Sequence, residues 1–163
     1  MDDARKTGEH VKEVEEGPYY KDKSPQRNSL AEESTPGDKL ILEGRVLDTS
    51  GNPVAGAWLD FWHADGTGAY DNADYNLRGH QYADRKGYFQ IKTVKPALYG
   101  RRAPHIHVKI QANPQSKIYT TQLFFPDHEA NAKDPIFEPA NVMEVTEGPD
   151  GITARFDIII DNK

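Results

Sequence analysis

In the run Pro104-His105-Ile106-His107-Val108-Lys109-Ile110, strand alternation puts His105 and His107 on one face and Ile106, Val108 and Ile110 on the other. The apolar face belongs to a core. Two imidazoles whose attachment points lie ~7 Å apart along one strand face can converge on a single ion; the ordinary alternative is a pair of hydrogen-bonded or surface histidines. The neighbourhood adds further donors. Tyr99-Gly100-Arg101-Arg102-Ala103-Pro104 places a tyrosine and two guanidiniums just upstream, and Tyr70 ends the loop Gly66-Thr67-Gly68-Ala69-Tyr70. A phenol with an ordinary pKa near ~10 is a poor ligand at neutral pH, but a trivalent cation favours the deprotonated, hard oxygen donor. Tyr70 and Tyr99 with two imidazoles therefore suit Fe(III), whereas plain aromatic packing is expected for the other six of the eight tyrosines.

Such side chains need elements to hold them. Residues 39–48, 57–63, 87–94, 105–112, 118–125 and 152–160 are strand-length runs rich in Val, Ile, Leu and aromatics, separated by turn chemistry at Ser50-Gly51-Asn52-Pro53, Asp84-Arg85-Lys86-Gly87 and Gly148-Pro149-Asp150-Gly151. With no long helical period between them, they predict an all-β fold, an antiparallel β-sandwich with long loops. Residues 1–37 carry many charges and no sustained period, and read as an extended N-terminal arm over a single sandwich domain at 38–163. Residues 127–139 read as a solvated acidic loop with only Phe137 packed.

The 163 residues suffice for one core. Zero Cys excludes disulfides, thiolate metal centres and cysteine nucleophiles, so any metal must take N and O ligands. With 20 Lys+Arg against 26 Asp+Glu, a net of -6 and no dense basic run, nucleic acid is not expected as a partner. No stretch reaches the ~20 apolar residues of a membrane helix. The start MDDARKTGEH lacks the basic-then-apolar plan of a signal peptide. A cytoplasmic location is the expectation for the chain as given, with secretion the alternative if a leader preceded residue 1.

At this point the sequence resembles the intradiol ring-cleavage dioxygenases, the family of catechol and protocatechuate dioxygenases. The motifs run in the family's order through Gly17-Pro18-Tyr19, Leu42-Glu43-Gly44-Arg45-Val46, Gly51-Asn52-Pro53-Val54-Ala55-Gly56-Ala57, Trp62, Gly68-Ala69-Tyr70, Tyr99, Arg102-Ala103-Pro104-His105-Ile106-His107 and Thr120-Thr121-Gln122. The resemblance implies that Tyr70, Tyr99, His105 and His107 ligate a mononuclear non-haem Fe(III), with Tyr70 the ligand that substrate displaces. It implies a catecholic substrate and O2 as partners, cleavage to a cis,cis-muconate-type diacid, Arg102 as the cation that stabilises charge on the ring, and Gln122 as a partner that orients a ligand or intermediate. Pro18 and Tyr19, with Arg102, would line the substrate pocket. A homo-oligomer whose arm crosses a subunit boundary is one arrangement the sequence allows.

The sequence also departs from larger members. An arm of 37 residues cannot supply the helical N-terminal domain of the catechol-cleaving branch, and only six positions separate Tyr99 from His105, which implies a short, single-domain branch with a more open pocket. Other readings account for less. A facial triad built on His63, Asp65 and His105 leaves the tyrosines, Arg102 and His107 unexplained, and Asp65-Gly66 reads as turn chemistry. A cupin-type site lacks its carboxylate, since Lys109 and Gln111 share the histidine face. Residues 44–57 also match transthyretin-like and carboxypeptidase-regulatory-like sandwiches, which are binding modules, but such a module has no need for the second-half constellation.

Overall fold

A computed structural model describes residues 10–161. Strands β1 (Lys39–Leu47), β2 (Trp58–Trp62), β3 (Arg78–Tyr82), β4 (Tyr88–Val94), β5 (His105–Gln111), β6 (Ile118–Phe124), β7 (Glu144–Gly148), β8 (Gly151–Arg155) and β9 (Ile158–Ile159) form two packed sheets. One has the order β4-β1-β8-β7 with β9 also on β1, and the other the order β3-β2-β5-β6. The fold is the all-β sandwich that the alternating runs imply. Leu40, Leu42 and Val46 of β1 face Ile106, Val108 and Ile110 of β5 within one continuous buried cluster.

Pairing is antiparallel except at β8 and β9, which run parallel to β1. The apolar run 152–160 is therefore two strands rather than one. The break lies at Phe156 and Asp157, where Phe156 N donates to Glu43 O (3.0 Å) and the Asp157 carboxylate accepts from Arg45 N (3.0 Å). Gly44 permits this approach, since a Cβ there would stand 1.9 Å from Phe156 O. Two strands have no counterpart among the expected runs. β3 (Arg-Gly-His-Gln-Tyr) has no apolar alternation, and β7 is an exposed edge closed onto β8 by the Gly148-to-Gly151 hairpin.

The arm covers edges that would otherwise present unpaired backbone. Val14 N donates to Thr120 O of β6, Arg27 N and Pro25 O bond the backbone of His80 in β3, and Leu30 N and Asn28 O bond Lys92 of β4. This packing is on the chain's own sheets, and it also roofs the histidine face of β5. The arm's first nine residues lie outside the described ones. No helix among the described residues is long and apolar enough to cross a membrane.

Candidate functional site

β5 lies between β2 and β6, in a register that sets Trp62, His107 and Gln122 directly opposite one another. Their side chains consequently share a face, the one opposite the core. The Trp62 and His107 rings stack at 4.5 Å with 10° between planes, which fixes the imidazole, while Gly17 (φ +74) brings the arm backbone close to it, a Cβ there standing 3.7 Å from His107 Cε1. His105 is fixed differently, its Nδ1–H donating to Ala103 O at 2.6 Å. That bond leaves the Nε2 lone pair pointing away from the strand.

Tyr70 arrives on the loop after β2. The Asp65 carboxylate accepts from Thr67 N (2.8 Å), Thr67 Oγ1 (2.7 Å) and Ala69 N (3.2 Å), which makes it a turn former. Ala97 N donates to Asp65 O (3.0 Å), and Gly68 (φ +87) lets this loop lie against the next, because a Cβ there would come 2.1 Å from Leu98 O. The two loops therefore carry Tyr70 and Tyr99 to the same place, with ring centroids 5.3 Å apart and edge to face. Tyr19 of the arm stacks on Tyr70 (4.6 Å) and meets Tyr99 edge-on (5.1 Å), while Pro18 beside it is exposed.

Three donor atoms converge. Tyr70 Oη lies 3.3 Å from His105 Nε2 and 2.9 Å from His107 Nε2, and the two nitrogens are 3.1 Å apart. Bonds of ~2.1 Å meeting at right angles span ~3.0 Å between ligand atoms, so the triangle is the size of one face of a coordination shell. Burial pushes His105 down to about 4 and His107 well below the ordinary imidazole value, with nearby cationic Arg102 acting in the same direction on both. Both are neutral at pH 7 with lone pairs to give. Burial raises Tyr70 to about 12 against the pull of Arg102 and Arg78, so only a bound cation would render it anionic at neutral pH. Among the described residues no group of three or more His, Cys, Asp or Glu could hold a metal ion. An ion held here would therefore use the Tyr70 phenol oxygen beside the two imidazoles, with the Tyr99 ring next to it, and a phenol–imidazole donor set fits a hard trivalent metal.

Arg102 stands at the rim of this triangle. Its NH2 donates to Gln122 Oε1 and its Nε to Asp134 Oδ2 (2.9 Å), and Gln122 Nε2 in turn donates to Glu15 O of the arm (2.9 Å). The reading of residues 127–139 as a solvated loop with Phe137 packed is corrected at Asp134, the one buried residue of that stretch. The Asp134 side chain is wholly buried, and Phe137 packs edge-on against Phe124 at 5.0 Å. Burial opposes its charge, but donors from Ile136 N, Arg102 and Ala103 N hold its pKa below the usual carboxylate value.

Buried Arg78 also escapes a sequence reading. It donates to Asp71 O (2.9 Å), Asn72 Oδ1 (3.2 Å) and Tyr19 O (2.5 Å), tying the Tyr70 loop to the arm. Tyr20 anchors that same stretch of arm through Oη to Asp60 Oδ2 (2.8 Å). His63 takes no part in the triangle, because its Nε2 bonds Thr93 Oγ1 at 2.7 Å and its Nδ1 bonds Ala64 O. With Asp65 committed to its turn, the facial-triad alternative has no site.

These buried imidazoles predict acid lability of the metal-free protein. His63 and His105 have folded pKa values of about 4 against an ordinary 6.5, so the unfolded chain binds their protons first. Stability is then full above pH 6.5 and falls as pH drops toward 4, by roughly 3 kcal/mol for each such group. Carboxylates held low, such as Asp71 and Asp134, add their losses only below their ordinary value of 3.8. Asp60, which burial raises, works in the opposite direction. Urea midpoints of metal-free protein at pH 7 and 4.5 check the sign; equal midpoints would mean that the imidazoles are solvated.

The chain matches the family model described as Dioxygenase over residues 15–161. It is 32% identical over 148 residues to catechol 1,2-dioxygenase of Pseudomonas sp. (strain EST1001), covering 74% of this chain and 48% of that protein. It is 32% identical over 141 residues to the protocatechuate 3,4-dioxygenase alpha chain of Pseudomonas putida, covering 78% and 68%. Among solved structures, the dioxygenase domain of a dioxygenase carbohydrate-binding protein fusion from Streptomyces sp. SirexAA-E superposes with a TM-score of 0.91 at 41% identity, covering 95% of this chain and 100% of that one. The chain spans about half the length of several of its curated relatives. A family model spanning nearly the whole described chain, on a sandwich whose loops gather tyrosines beside a His-x-His strand, leaves one assignment: the chain belongs to the intradiol ring-cleavage dioxygenases.

Proposed function

We propose that this protein is an Fe(III)-dependent intradiol dioxygenase that cleaves a catecholic ring with O2 to a cis,cis-muconate-type dicarboxylic acid, with 38–163 as the catalytic sandwich and 1–37 as its arm. The observation that carries the reading is the convergence of Tyr70 Oη, His105 Nε2 and His107 Nε2 within 3.3 Å of one another. Tyr70, Tyr99, His105 and His107 would hold the iron. When bound, ferric iron would supply Lewis acidity that favours the deprotonated diol and draws electron density from it.

The side chains do the rest. Tyr70 would take one of the diol's two hydroxyl protons at its Oη as substrate replaces it, and the other would leave to hydroxide from solvent. Arg102 presents its cation from a largely dry rim, where a fixed charge acts strongly on negative charge developing on the ring. Gln122 braces Arg102, and Pro18 and Tyr19 wall the approach. The redox balance closes on the two reactants alone. The bond between the hydroxyl-bearing carbons breaks, those carbons are oxidised to carboxyl level, and O2 is reduced with both its atoms entering the product.

The test is a product assay on a panel of catechol, protocatechuate, hydroxyquinol and larger aryl diols with the iron-loaded protein. Muconate-type products are expected, and the panel ranks the substrates. A semialdehyde would mean extradiol cleavage, and no turnover of any diol would sink the activity.

A further inference from the structure

Between the candidate iron ligands and the surface runs a chain of hydrogen bonds with one carboxylate at its centre. Asp134 Oδ2 accepts at once from Arg102 Nε (2.9 Å) and from Ala103 N (2.8 Å), while Oδ1 accepts from Ile136 N (2.8 Å). The two bonds to Oδ2 come from consecutive residues, one through its side chain and one through its backbone. Ala103 is the residue whose carbonyl receives His105 Nδ1–H at 2.6 Å. Held at Nε by Asp134 and at NH2 by Gln122, the planar guanidinium has little freedom left to rotate.

We propose that Asp134 is a positioning residue for the reaction: it sets the plane of Arg102, whose Nε donates to its Oδ2 (2.9 Å). The inference rests on the reading that Arg102 serves a ring-cleaving iron site. Only a carboxylate satisfies this position, because both oxygens face N–H donors and neither can be replaced by a donor. Asparagine has nearly the same shape, yet in either flip its NH2 meets an N–H. The side chain is wholly buried, so solvent cannot relieve that clash.

The experiment is a double-mutant cycle on the iron-loaded full chain, using whichever diol the wild type turns over fastest. Asp134→Asn is expected to lower kcat at least tenfold. If Asp134 acts through Arg102, the double variant Arg102→Ala/Asp134→Asn falls within twofold of Arg102→Ala alone. Multiplying losses, or an unchanged kcat in Asp134→Asn, overturn the proposal and leave Asp134 as a brace for its loop. Should Asp134→Asn fail to fold, Asp134→Glu, which keeps the carboxylate but displaces it by one methylene, takes its place in the cycle under the same criterion, and hydrogen exchange in the wild type tests the underlying contact. A slow Ala103 amide, against the amide of exposed Arg101, supports the contact, and equal rates overturn it. A wild type that turns over no diol defeats the activity reading instead, and the exchange measurement continues to report on Asp134.

Discussion

Loaded with Fe(III), the protein is expected to be red to burgundy, and His107→Ala to lose both the colour and the metal. The colour arises when a phenolate bound to ferric iron donates charge into it, so it reports tyrosine ligation directly. Tyr99→Phe removes one such oxygen and is expected to shift or abolish the visible band. His107 Nε2 is one vertex of the donor triangle, 2.9 Å from Tyr70 Oη and 3.1 Å from His105 Nε2, and its loss removes a donor that the others cannot replace. Loss of an outer hydrogen-bond partner of a metal ligand alone costs ~10–100-fold in metal affinity, and loss of a ligand should exceed that. Iron content after desalting, read beside the visible spectrum, gives the answer. His80→Gln is the control, since that ring bonds Ser24 in the arm rather than the triangle. A colourless wild type with full iron would remove the tyrosines from the ligand set.

Much of this site was legible in the chain because it obeys local rules. Period-two alternation alone set His105 and His107 on the face away from Ile106 and Val108, and a strand this regular has no other way to fold. Asp65-Gly66 and Gly68 were readable as turn chemistry, although the reason Gly68 must be glycine, the carbonyl of Leu98 against its Cα, belongs to another loop. Tyr70 and Tyr99 stood out from the eight tyrosines by their places in loops, Tyr99 just upstream of the histidines, and the family's motif order then gave each its role.

What stayed hidden depends on partners distant in sequence. Asp134 looks like one more charge in a polar stretch, and its burial is decided by donors 31 and 32 residues earlier. Arg78 heads a strand with no apolar alternation, which pairs because β2 lies on one side and the arm's backbone on the other. The arm illustrates the same limit. Its charges gave no period, yet it closes edges of both sheets and lends Tyr19 to the aromatic group around Tyr70. In this fold the local code writes the strand that carries the nitrogens, and long-range contacts write the electrostatics around them.

Arg102→Ala should leave the iron bound and the protein coloured while kcat falls by roughly 10²–10³, the usual cost of removing one preorganised charge or donor from where charge develops. The guanidinium is only 20% exposed and is braced by the buried Asp134, so its charge is aimed before substrate arrives and needs no reorganisation. Because Arg102 is not among the proposed ligands, iron content and the visible band should hold, which separates this variant from His107→Ala. Arg102→Lys keeps the charge but not the fork. A single ammonium cannot satisfy Asp134 Oδ2 and Gln122 Oε1 in the same geometry, so it should recover part of the lost rate and not all of it. If the arginine contributed only general substrate attraction, KM would rise with kcat unchanged; a placed charge acting in the transition state lowers kcat itself. An Arg102→Ala protein with full iron and wild-type kcat would take Arg102 out of the chemistry and leave it as a strut between Asp134 and Gln122.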